Sequence, residues 1–376
     1  MKTLIVGAGP AGLYLAYLLK RQRVSDEVRV VEQNAADSTF GFGVVFSDRA
    51  LDFLRDDDAP THALITAPMQ RWTDLTLNHR GQTITIDGVG FAAIGRLQLL
   101  QLMQHRAASV GVRPEYGHVV GDECELEGAD LVVAADGANS FVRRRFEREF
   151  GTRIEPLANH FVWYGTPRRF ETLSQTFVTT EHGCFNAHHY RYAPQMSTFI
   201  VECDPATWAR ASFSAMDDAA TRAYCERAFA DTLQGAPLVA NKSIWRHFPK
   251  LSNERWSHGN RVLVGDALRT AHFSIGSGTR LAFEDVIALA CALRDAPNDV
   301  PAALAAYEAA RRPVVDKLVA AANRSADWYE QFPAHMQQDA WPLAWSYIQR
   351  SGRIDEARLA AVSPRFVAGY RAWSKN

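Results

Sequence analysis

The strongest hydrophobic pattern in the chain is a short apolar run that ends at an acidic or glycine-containing turn. Runs of this length without polar alternation are typical of strands buried on both faces of a parallel sheet. They occur at residues 3–6, 28–31, 130–135 and 261–264. Stretches with the apolar spacing of a helix lie between and after them, at residues 13–19, 96–103 and 279–293. This alternation predicts an α/β domain with a parallel sheet.

A second pattern predicts antiparallel structure. Residues 72–86 alternate between apolar and polar side chains around Gly81, which predicts a hairpin. Strand-like segments then dominate from about residue 156 to 247, at 161–165, 175–180, 184–192 and 197–203. Helices are expected at 138–150, 217–233 and 301–328, the last with a bend at Pro313. The segment 40–46 contains two glycines and is expected to form an apolar loop.

The first strand leads into Gly7-Ala-Gly-Pro-Ala-Gly12, a GxGxxG turn in front of a predicted helix. The glycines permit a tight turn and a close approach of the backbone, and the helix N-terminus offers free N–H groups to a pyrophosphate. The next strand ends at Glu32, about 20 residues past Gly12, where a carboxylate accepts hydrogen bonds from ribose hydroxyl groups. The pattern predicts dinucleotide binding; a structural turn with an exposed glutamate is the alternative.

Two further turns narrow the prediction to one dinucleotide. Asp136-Gly137 follows the third apolar run, and Gly265-Asp266 follows the fourth and precedes the glycine-rich segment 272–278. Three phosphate- and ribose-type loops in this order indicate FAD held by one discontinuous domain. For either aspartate taken singly, an exposed residue at the end of a strand is the alternative.

The predicted fold is therefore α/β, with a Rossmann-like FAD-binding domain that is interrupted by a β-sheet-rich substrate domain and followed by a helical segment. The expected ranges are 1–67, 93–155 and 247–300 for the FAD-binding domain, 68–92 and 156–246 for the substrate domain, and 301–376 for the C-terminal helices. The chain contains no internal repeat, low-complexity tract or flexible linker.

Composition excludes several classes of protein. The 376 residues are 47% hydrophobic and carry a net charge of −1, so no global field draws the chain to nucleic acid or to an anionic membrane. No apolar run reaches the roughly 20 residues that span a bilayer. Five scattered cysteines without a CxxC pair indicate reduced thiols in a cytoplasmic protein and suggest no metal site. Arg143, Arg144, Arg145 and Arg148 are expected on a solvated helix face, with a phosphate-binding patch as the alternative.

The order of these motifs resembles the single-component FAD-dependent aromatic hydroxylases, the family of para-hydroxybenzoate hydroxylase. Within it, residues 41–48, 253–259 and 270–279 are similar to aryl-CoA hydroxylases of the salicylyl-CoA 5-hydroxylase type. Residues 196–203 are also similar to the tryptophan hydroxylase of violacein biosynthesis. The resemblance covers nearly all of residues 1–330 and is less distinct beyond them.

The resemblance implies a set of FAD contacts. They are Gly7, Gly9, Pro10, Ala11, Gly12, Glu32, Gln33, Val44, Arg96, Asp136, Asp266, Gly276, Ser277, Gly278 and Thr279. Arg96 matches an arginine that contacts the pyrophosphate, for which a planar guanidinium is suited; a helix-surface arginine is the alternative. Asp136 matches a residue with FAD and NAD(P)H roles, and Asp266 one that holds the ribityl or pyrophosphate region. Residues 276–279 are expected beside the isoalloxazine.

Three further residues are candidates for the chemistry. Many family members carry paired prolines where this chain has His272 and Phe273. His272 is expected near the flavin, to orient the substrate or to act as a general base with a pKa near neutrality; a packing histidine is the alternative. Strand alternation places His188 and Tyr190 on one face of the second domain's sheet, and they are expected to contact the substrate ring. An exposed strand is the alternative there.

The expected reaction is hydroxylation of an aromatic ring. NADH or NADPH binds transiently and reduces FAD, and O₂ then forms a flavin C4a-hydroperoxide. The distal oxygen of this hydroperoxide attacks the aromatic ring. The expected substrate is an aryl-CoA thioester such as a hydroxy- or aminobenzoyl-CoA. Its phosphate groups require cationic side chains, whose positions the sequence does not give. A free indole, tryptophan-like or phenolic substrate, a non-oxygenating FAD-dependent reductase, and a flavin-bound sensor protein are the alternatives. The protein is expected to be a monomer or a homodimer.

Overall fold

The computed structural model describes residues 1–47 and 50–375. Asp48, at the end of the segment 41–48 that carries part of the family resemblance, lies outside the described residues. The strands are β1 (Lys2–Val6), β2 (Glu27–Glu32), β3 (Gly43–Ser47), β4 (Gln70–Trp72), β5 (Leu75–His79), β6 (Gln82–Ile86), β7 (Phe91–Gly95), β8 (Glu115–Tyr116), β9 (Leu131–Ala134), β10 (Thr152–Thr166), β11 (Leu173–Thr180), β12 (Gly183–Ala193), β13 (Met196–Cys203), β14 (Val239–Ala240), β15 (Arg246–Asn253), β16 (Ser257–His258) and β17 (Arg261–Leu263).

The helices complete the α/β pattern. They are α1 (Pro10–Arg21), α2 (Asp52–Asp57), α3 (Ala59–Thr66), α4 (Arg96–Ala108), α5 (Phe141–Arg145), α6 (Glu147–Phe150), α7 (Pro205–Arg210), α8 (Asp218–Ala228), α9 (Ala230–Leu233), α10 (Gly278–Asp295), α11 (Val300–Glu330), α12 (Phe332–His335), α13 (Ala340–Gln349), α14 (Glu356–Val362) and α15 (Pro364–Trp373). Short 3₁₀ turns cover Glu123–Leu126, Phe213–Ala215, Gly265–Ala267 and Phe273–Ile275. The α/β fold class with a C-terminal helical segment is confirmed.

The first sheet gathers the predicted nucleotide loops at one edge. Its order is β16-β17-β9-β1-β2-β8, and all neighbours except β16 and β17 are parallel. The register pairs Val6 with Val31 and Ala134, and Ala134 with Leu263. The carboxyl ends of these strands therefore lie side by side. In open α/β sheets ligands bind at this edge.

The second sheet is mostly antiparallel and forms the wall opposite. Its order is β14-β10-β13-β12-β11-β5-β6, with β15 paired to β10. The predicted hairpin about Gly81 is β5 and β6, while β11 joins β5 in parallel across the chain. One core lies against the parallel sheet, and a second joins β5, β6 and β11 to the C-terminal helices. Helix α11 contributes to both cores, through Leu304 to the first and Tyr329 to the second.

Three expectations about local structure are corrected. Residues 43–47 are not a loop but strand β3, which pairs with β7 in a three-stranded sheet β3-β7-β4. The helix expected at 138–150 is two short helices, because Phe146 leaves helical geometry at φ −119°. Similarly, the helix expected at 217–233 breaks at Phe229. Helix α11 continues through Pro313 without interruption.

The basic cluster after Asp136 is also different from the expectation. Arg143 is buried at 1% exposure, and its guanidinium donates to the carbonyl oxygens of Ala267 at 3.2 Å and Ala138 at 2.6 Å. It ties the turn after β9 to the turn after β17. Arg144 and Arg148 remain exposed. No helix in the described part of the chain is long and apolar enough to cross a membrane.

Candidate active site

A cavity of about 250 Å³ lies at the carboxyl edge of the parallel sheet. It is lined by parts of four loops that follow β1, β2, β9 and β17. The predicted FAD contacts among its lining residues are Gly9, Pro10, Ala11, Glu32, Val44, Arg96, Asp266, Gly278 and Thr279. The separate sequence motifs thus converge on one cavity.

The three glycines of the first turn have different surroundings. Gly7 has φ +105°, and an added Cβ would lie 2.4 Å from the Ala135 carbonyl oxygen. At Gly12 a Cβ would lie 2.1 Å from the Gly7 carbonyl oxygen, so both positions require glycine for the protein's own packing. Gly9 is different, because it has φ −68° and nothing within 4 Å of a Cβ. The space beside Gly9 belongs to the cavity. Absence of a side chain there leaves room for a ligand close to the backbone.

Two helices begin at this cavity without a side-chain cap. Gly9 precedes α1, Ser277 precedes α10, and neither helix start receives a capping hydrogen bond from a side chain. The first N–H groups of a helix have no partner within the helix and attract anions. The start of α1 suits a pyrophosphate, and the start of α10 suits an electron-rich ring edge.

Glu32 is held in place by backbone groups. Its carboxylate accepts hydrogen bonds from the backbone N–H of Ala8 at 2.9 Å and from the backbone and side chain of Asn34 at 2.9 and 2.7 Å. Oε1 accepts both bonds from Asn34 and Oε2 accepts the bond from Ala8. Because a carboxylate oxygen can accept two hydrogen bonds, capacity for a ribose hydroxyl group remains at Oε2. Gln33 is exposed and does not line the cavity; Asn34 lies there instead.

Arg96 and Asp266 both line this cavity, and the charge of each affects the pKa of the other. Burial raises the pKa of Asp266, while Arg96 and Arg269 oppose that rise. Burial also lowers the pKa of Arg96, an effect countered by Asp266. Among the described residues, no carboxylate or carbonyl oxygen accepts a hydrogen bond from the Arg96 side chain; its guanidinium lies 5.5 Å from the Trp163 ring centre. An uncommitted cation of this kind suits an anionic ligand.

Asp136 does not line the cavity but shapes the turn beside it. One oxygen accepts a hydrogen bond from the backbone N–H of Phe141 at 2.7 Å, and the other, Oδ1, is buried and has no partner among the described residues. Burial raises its pKa. Its neighbours Ala135 and Gly137 do line the cavity. An orphaned carboxylate oxygen next to a cavity marks a place where a polar ligand or water completes the structure.

A second cavity of about 470 Å³ continues from the first. The two share the lining residues Phe40, Val44, Arg96, Asp266, Gly278 and Thr279. The loop residues Gly276 and Ser277 line only the second. Gly276 has φ +58°, and a Cβ there would lie 3.0 Å from the Val45 carbonyl oxygen. The loop therefore lies against β3, and a side chain at this position would separate them.

The opposite wall of the second cavity is one face of the antiparallel sheet. Trp163, His188, Tyr190 and Ile200 line it from β10, β12 and β13. The register pairs Ile200 with both Trp163 and His188, so these side chains are direct neighbours. The Tyr190 hydroxyl donates to the Gly43 carbonyl oxygen at 3.0 Å, and burial raises its pKa. The exposed-strand alternative does not hold, because His188 and Tyr190 are buried.

His188 presents an uncommitted imidazole to this cavity. It is 4% exposed, and neither ring nitrogen has a hydrogen-bond partner in the described part of the chain. Burial lowers its pKa to about 3, with the positive charge of Arg350 adding to the effect. The ring is therefore neutral near pH 7, with one donor and one acceptor nitrogen. A buried group of this kind requires a partner, which a polar ring substituent would supply.

His272 lies behind the cavity wall and does not line it. Its Nδ1 lies 2.8 Å from the Ser274 hydroxyl, which in turn lies 2.7 Å from the Ser325 hydroxyl. Its ring is 4.2 Å from that of Phe273, which does line the cavity. The expected pKa near neutrality is wrong, because burial lowers the pKa of His272 to about 3. The ring is neutral and supports the loop from behind.

The residues present fit FAD. The first cavity offers two uncapped helix starts, a backbone cradle at Gly9 and a ribose-type carboxylate at Glu32. The unpaired guanidinium of Arg96 lies where the two cavities meet. No group of three or more His, Cys, Asp or Glu side chains among residues 1–47 and 50–375 is arranged to hold a metal ion. The arrangement suits a flavin beside a buried, mostly apolar substrate cavity.

Several cavity residues escape sequence reasoning. They are Asn34, Asn139, Trp163, Asn241, Lys242, Arg246 and Phe248. Most lie on irregular segments between strands, where no periodic pattern assigns a side chain to a face. Three lie on strands: Trp163 on β10, and Arg246 and Phe248 on β15. For Trp163, strand alternation within the predicted strand 161–165 places it on the same face as Phe161. The pairing of that strand with β13 is what brings the face to the cavity.

The chain matches the family described as "FAD binding domain" over residues 1–118 and 96–322. It is 39% identical over 381 residues to salicyloyl-CoA 5-hydroxylase of a Streptomyces species, covering 99% of this chain and 74% of that protein. It is 38% identical over 333 residues to a 3-hydroxy-4-methyl-anthranilyl-[aryl-carrier protein] 5-monooxygenase of Streptosporangium sibiricum, covering 89% and 90%. Protodeoxyviolaceinate monooxygenase of Chromobacterium violaceum is 33% identical over 361 residues, covering 93% and 94%.

Proposed function

Since the chain belongs to the family of FAD-dependent aromatic hydroxylases, we propose that it hydroxylates an aromatic ring carried as a coenzyme A thioester. The enzyme is an FAD-dependent monooxygenase with NADH or NADPH as reductant. Two similar relatives are described as acting on a ring in thioester linkage, one to coenzyme A and one to a carrier protein. A hydroxybenzoyl or aminobenzoyl thioester fits both descriptions.

One observation carries the proposal. The cavity that suits FAD opens directly into a larger one whose far wall is a buried sheet face with two aromatic side chains and an unpartnered imidazole. An aromatic ring in the second cavity would lie beside residues 276–279 of the flavin-facing loop. His188, Tyr190 and Ile200 are buried, so a ring bound against them would be shielded from bulk water. Exclusion of water protects a reactive oxygen species from wasteful breakdown.

The proposed reaction needs little covalent chemistry from the protein. FAD, when bound, supplies the acceptance of a hydride from NAD(P)H and the activation of O₂. One oxygen atom enters a ring C–H bond and the other leaves as water, while NAD(P)H is oxidised. The protein's own task is to bind the ring, orient it and exclude water.

We assign the side-chain roles as follows. His188 accepts one hydrogen bond from, or donates one to, a hydroxyl or amino substituent of the ring, which satisfies one of the two ring nitrogens that have no partner among the described residues. Tyr190 is committed to the Gly43 carbonyl oxygen and holds β3 against β12. His272 fixes the flavin-facing loop through Ser274. The FAD contacts are proposed to be the backbone of Gly7 through Gly12, the side chains of Glu32, Arg96 and Asp266, and the start of α10.

The test is NAD(P)H consumption by the FAD-loaded protein with a panel of possible substrates. The panel contains salicylyl-CoA, other benzoyl-CoA esters, the corresponding free acids, and tryptophan. We expect aryl-CoA thioesters to stimulate NAD(P)H and O₂ consumption at least tenfold, with a product heavier by one oxygen atom. Stimulation by free acids or tryptophan alone would contradict the thioester proposal. Strong product formation without O₂ would contradict oxygenation itself.

A further inference from the structure

A short segment at the open end of the second cavity, residues 241–246, alternates between anchored and exposed side chains. The Asn241 amide donates to the carbonyl oxygens of Thr39 and Gly41 at 3.1 and 3.0 Å. The Ser243 hydroxyl donates to the Trp163 carbonyl oxygen, and the Trp245 ring packs 4.7 Å from that of Phe213. This segment, named here the mouth segment, is thereby fixed to the cavity wall on its inner side.

The side chains between these anchors point outward around the opening. Lys242, Ile244 and Arg246 are exposed, and all three line the cavity. Ile244 is 62% exposed, although it is large and apolar. Across the opening Phe40 is 42% exposed, and the Lys242 ammonium lies 4.7 Å from its ring centre. Two cations and two exposed apolar groups therefore surround the entrance.

The charges at the entrance are not balanced by nearby acids. In the described part of the chain neither Lys242 nor Arg246 forms a salt bridge, and Arg246 donates only to the Lys242 carbonyl oxygen at 3.3 Å. Among the described residues that line this cavity, Asp266 is the one acid, and the positive charge of Arg96 acts on it. Some exposed arginines elsewhere, such as Arg29 and Arg153, are paired with glutamates. Within residues 1–47 and 50–375, the entrance is thus a site of uncompensated positive charge.

We propose that Lys242 and Arg246 bind the phosphate groups of coenzyme A while the acyl ring occupies the inner cavity. A guanidinium and an ammonium are the side chains that bind phosphate oxygens in charge-assisted hydrogen bonds. Ile244 and Phe40 offer apolar surface to the pantetheine arm and the adenine ring. The acyl part of this inference rests on the proposed function. Binding of the nucleotide part depends only on the side chains at the entrance. Arg71, Arg80, Arg168 and Arg169 are not among the described residues that line this cavity.

The test measures binding of coenzyme A separately from hydroxylation of the ring. Free coenzyme A and pantetheine, which lacks phosphate, are titrated into the FAD-loaded protein by calorimetry. We expect coenzyme A to bind the native protein, with an affinity that falls as salt rises, because exposed charges are screened. In the variant Lys242→Glu/Arg246→Glu the affinity for coenzyme A is expected to fall at least tenfold, and that for pantetheine to change less than twofold.

A matched control has the same change in net charge. Arg113→Glu/Lys317→Glu replaces two exposed cations that line neither cavity, and it is expected to leave coenzyme A binding unchanged. FAD content and the far-ultraviolet circular dichroism spectrum establish that both variants are folded. With an aryl-CoA substrate, the mouth variant should raise KM about tenfold and leave kcat nearly unchanged.

Three results would overturn the proposal. They are failure of coenzyme A to bind, an equal loss in both double variants, and an equal loss for coenzyme A and pantetheine. The first of these results, together with activity on a ring linked to a carrier protein, would identify a carrier protein as the acyl carrier instead. If coenzyme A binds as expected but no aryl thioester is hydroxylated, the entrance site stands and the proposed function fails.

Discussion

A substitution at Gly9 tests ligand binding with less effect on folding than a substitution at the other glycines of its turn. Gly7 and Gly12 have no room for a Cβ, so their replacement would disturb the fold. We expect Gly9→Val to fold normally and lose FAD, because its side chain would enter empty space that the pyrophosphate needs. The measurement is the ratio of flavin absorbance to protein after purification. Gly121→Val is the control, since Gly121 also has nothing within 4 Å and is remote from the cavity. Full FAD retention in Gly9→Val would contradict the assignment.

Glu202 is a buried acid that the proposed chemistry does not use. One oxygen accepts from the Asn159 amide at 2.8 Å, the other has no partner, and burial raises its pKa to about 8. The unfolded carboxyl ionises near pH 4.5, so the protonated native form stabilises the fold below that pH. This contribution to the free energy of unfolding declines as the pH rises above 4.5, and it is fully lost once the pH exceeds about 8.

Substitution of this acid should therefore alter the pH dependence of stability. We expect Glu202→Gln to resemble the native protein near pH 4.5 and to exceed it at pH 8 by on the order of 3 kcal/mol. Urea unfolding at both pH values measures the difference. The control Glu181→Gln, at an exposed position, should show no such pH dependence. A stability difference that is constant with pH would contradict the buried, protonated state.

Individual residues also show where sequence reasoning ends. The glycine turn, Glu32 and Asp266 were predicted from motif spacing and strand order, and Arg96 from the family resemblance; all of them contribute to one cavity. Arg143 was placed wrongly, because the carbonyl oxygens that bury it come from turns 124 residues and five residues away. The neutral state of His272 also depends on packing: Phe248, Phe273 and Tyr329 surround its ring. Neither effect has a signal in the local sequence.

At the scale of elements, the C-terminal helices support the flavin-facing loop. Arg350, which follows α13, donates to the Ser274 carbonyl oxygen at 2.8 Å and to the Tyr347 carbonyl oxygen at 2.7 Å. Its guanidinium also lies 3.8 Å from the Tyr347 ring centre. Ser274 lies within the segment 272–276 that leads to α10. The last helices therefore act on the active site without lining it.

Loss of this support should loosen the loop more than it harms the fold. We expect Arg350→Met to keep FAD and to release a larger share of the consumed NAD(P)H electrons as hydrogen peroxide, because ring and loop are less well aligned. Peroxide yield per NAD(P)H measures this share. Arg358→Met, at an exposed position, is the control. If the peroxide yield of Arg350→Met is unchanged, Arg350 contributes only to the stability of the fold, by about 1–3 kcal/mol.

Regular elements were predictable where the apolar pattern was strong. The buried strands of the parallel sheet and the leucine-rich helices α1, α4 and α10 follow from it directly. Strand β3 was missed because its glycine-containing segment shows no alternation, and its strand geometry comes from pairing with β7. Helices α13–α15 were not resolved in the sequence, because their aromatic side chains pack against β5 and β6 in a contact between distant parts of the chain.

At the scale of the whole molecule, function depends on two cavities that open into each other. The parallel sheet gathers four loops at one edge, and the antiparallel sheet supplies the facing wall. The shared residues, Arg96 and Asp266 among them, lie where the two meet. Motif order was sufficient to predict the cofactor, whereas the family resemblance predicted the class of reaction. The cations at the entrance could not be predicted, because the mouth segment acquires its position from anchors on Thr39, Gly41 and Trp163.

The most direct test of the account is the origin of the oxygen atom in the product. The FAD-loaded protein is supplied with NAD(P)H and salicylyl-CoA under ¹⁸O₂, and the product is analysed by mass spectrometry after hydrolysis of the thioester. The account predicts one ¹⁸O atom on the ring in each product molecule and none when only the water is labelled. A hydroxylated product whose new oxygen comes from water, or NAD(P)H oxidation that yields only hydrogen peroxide with every aryl-CoA ester, would contradict it.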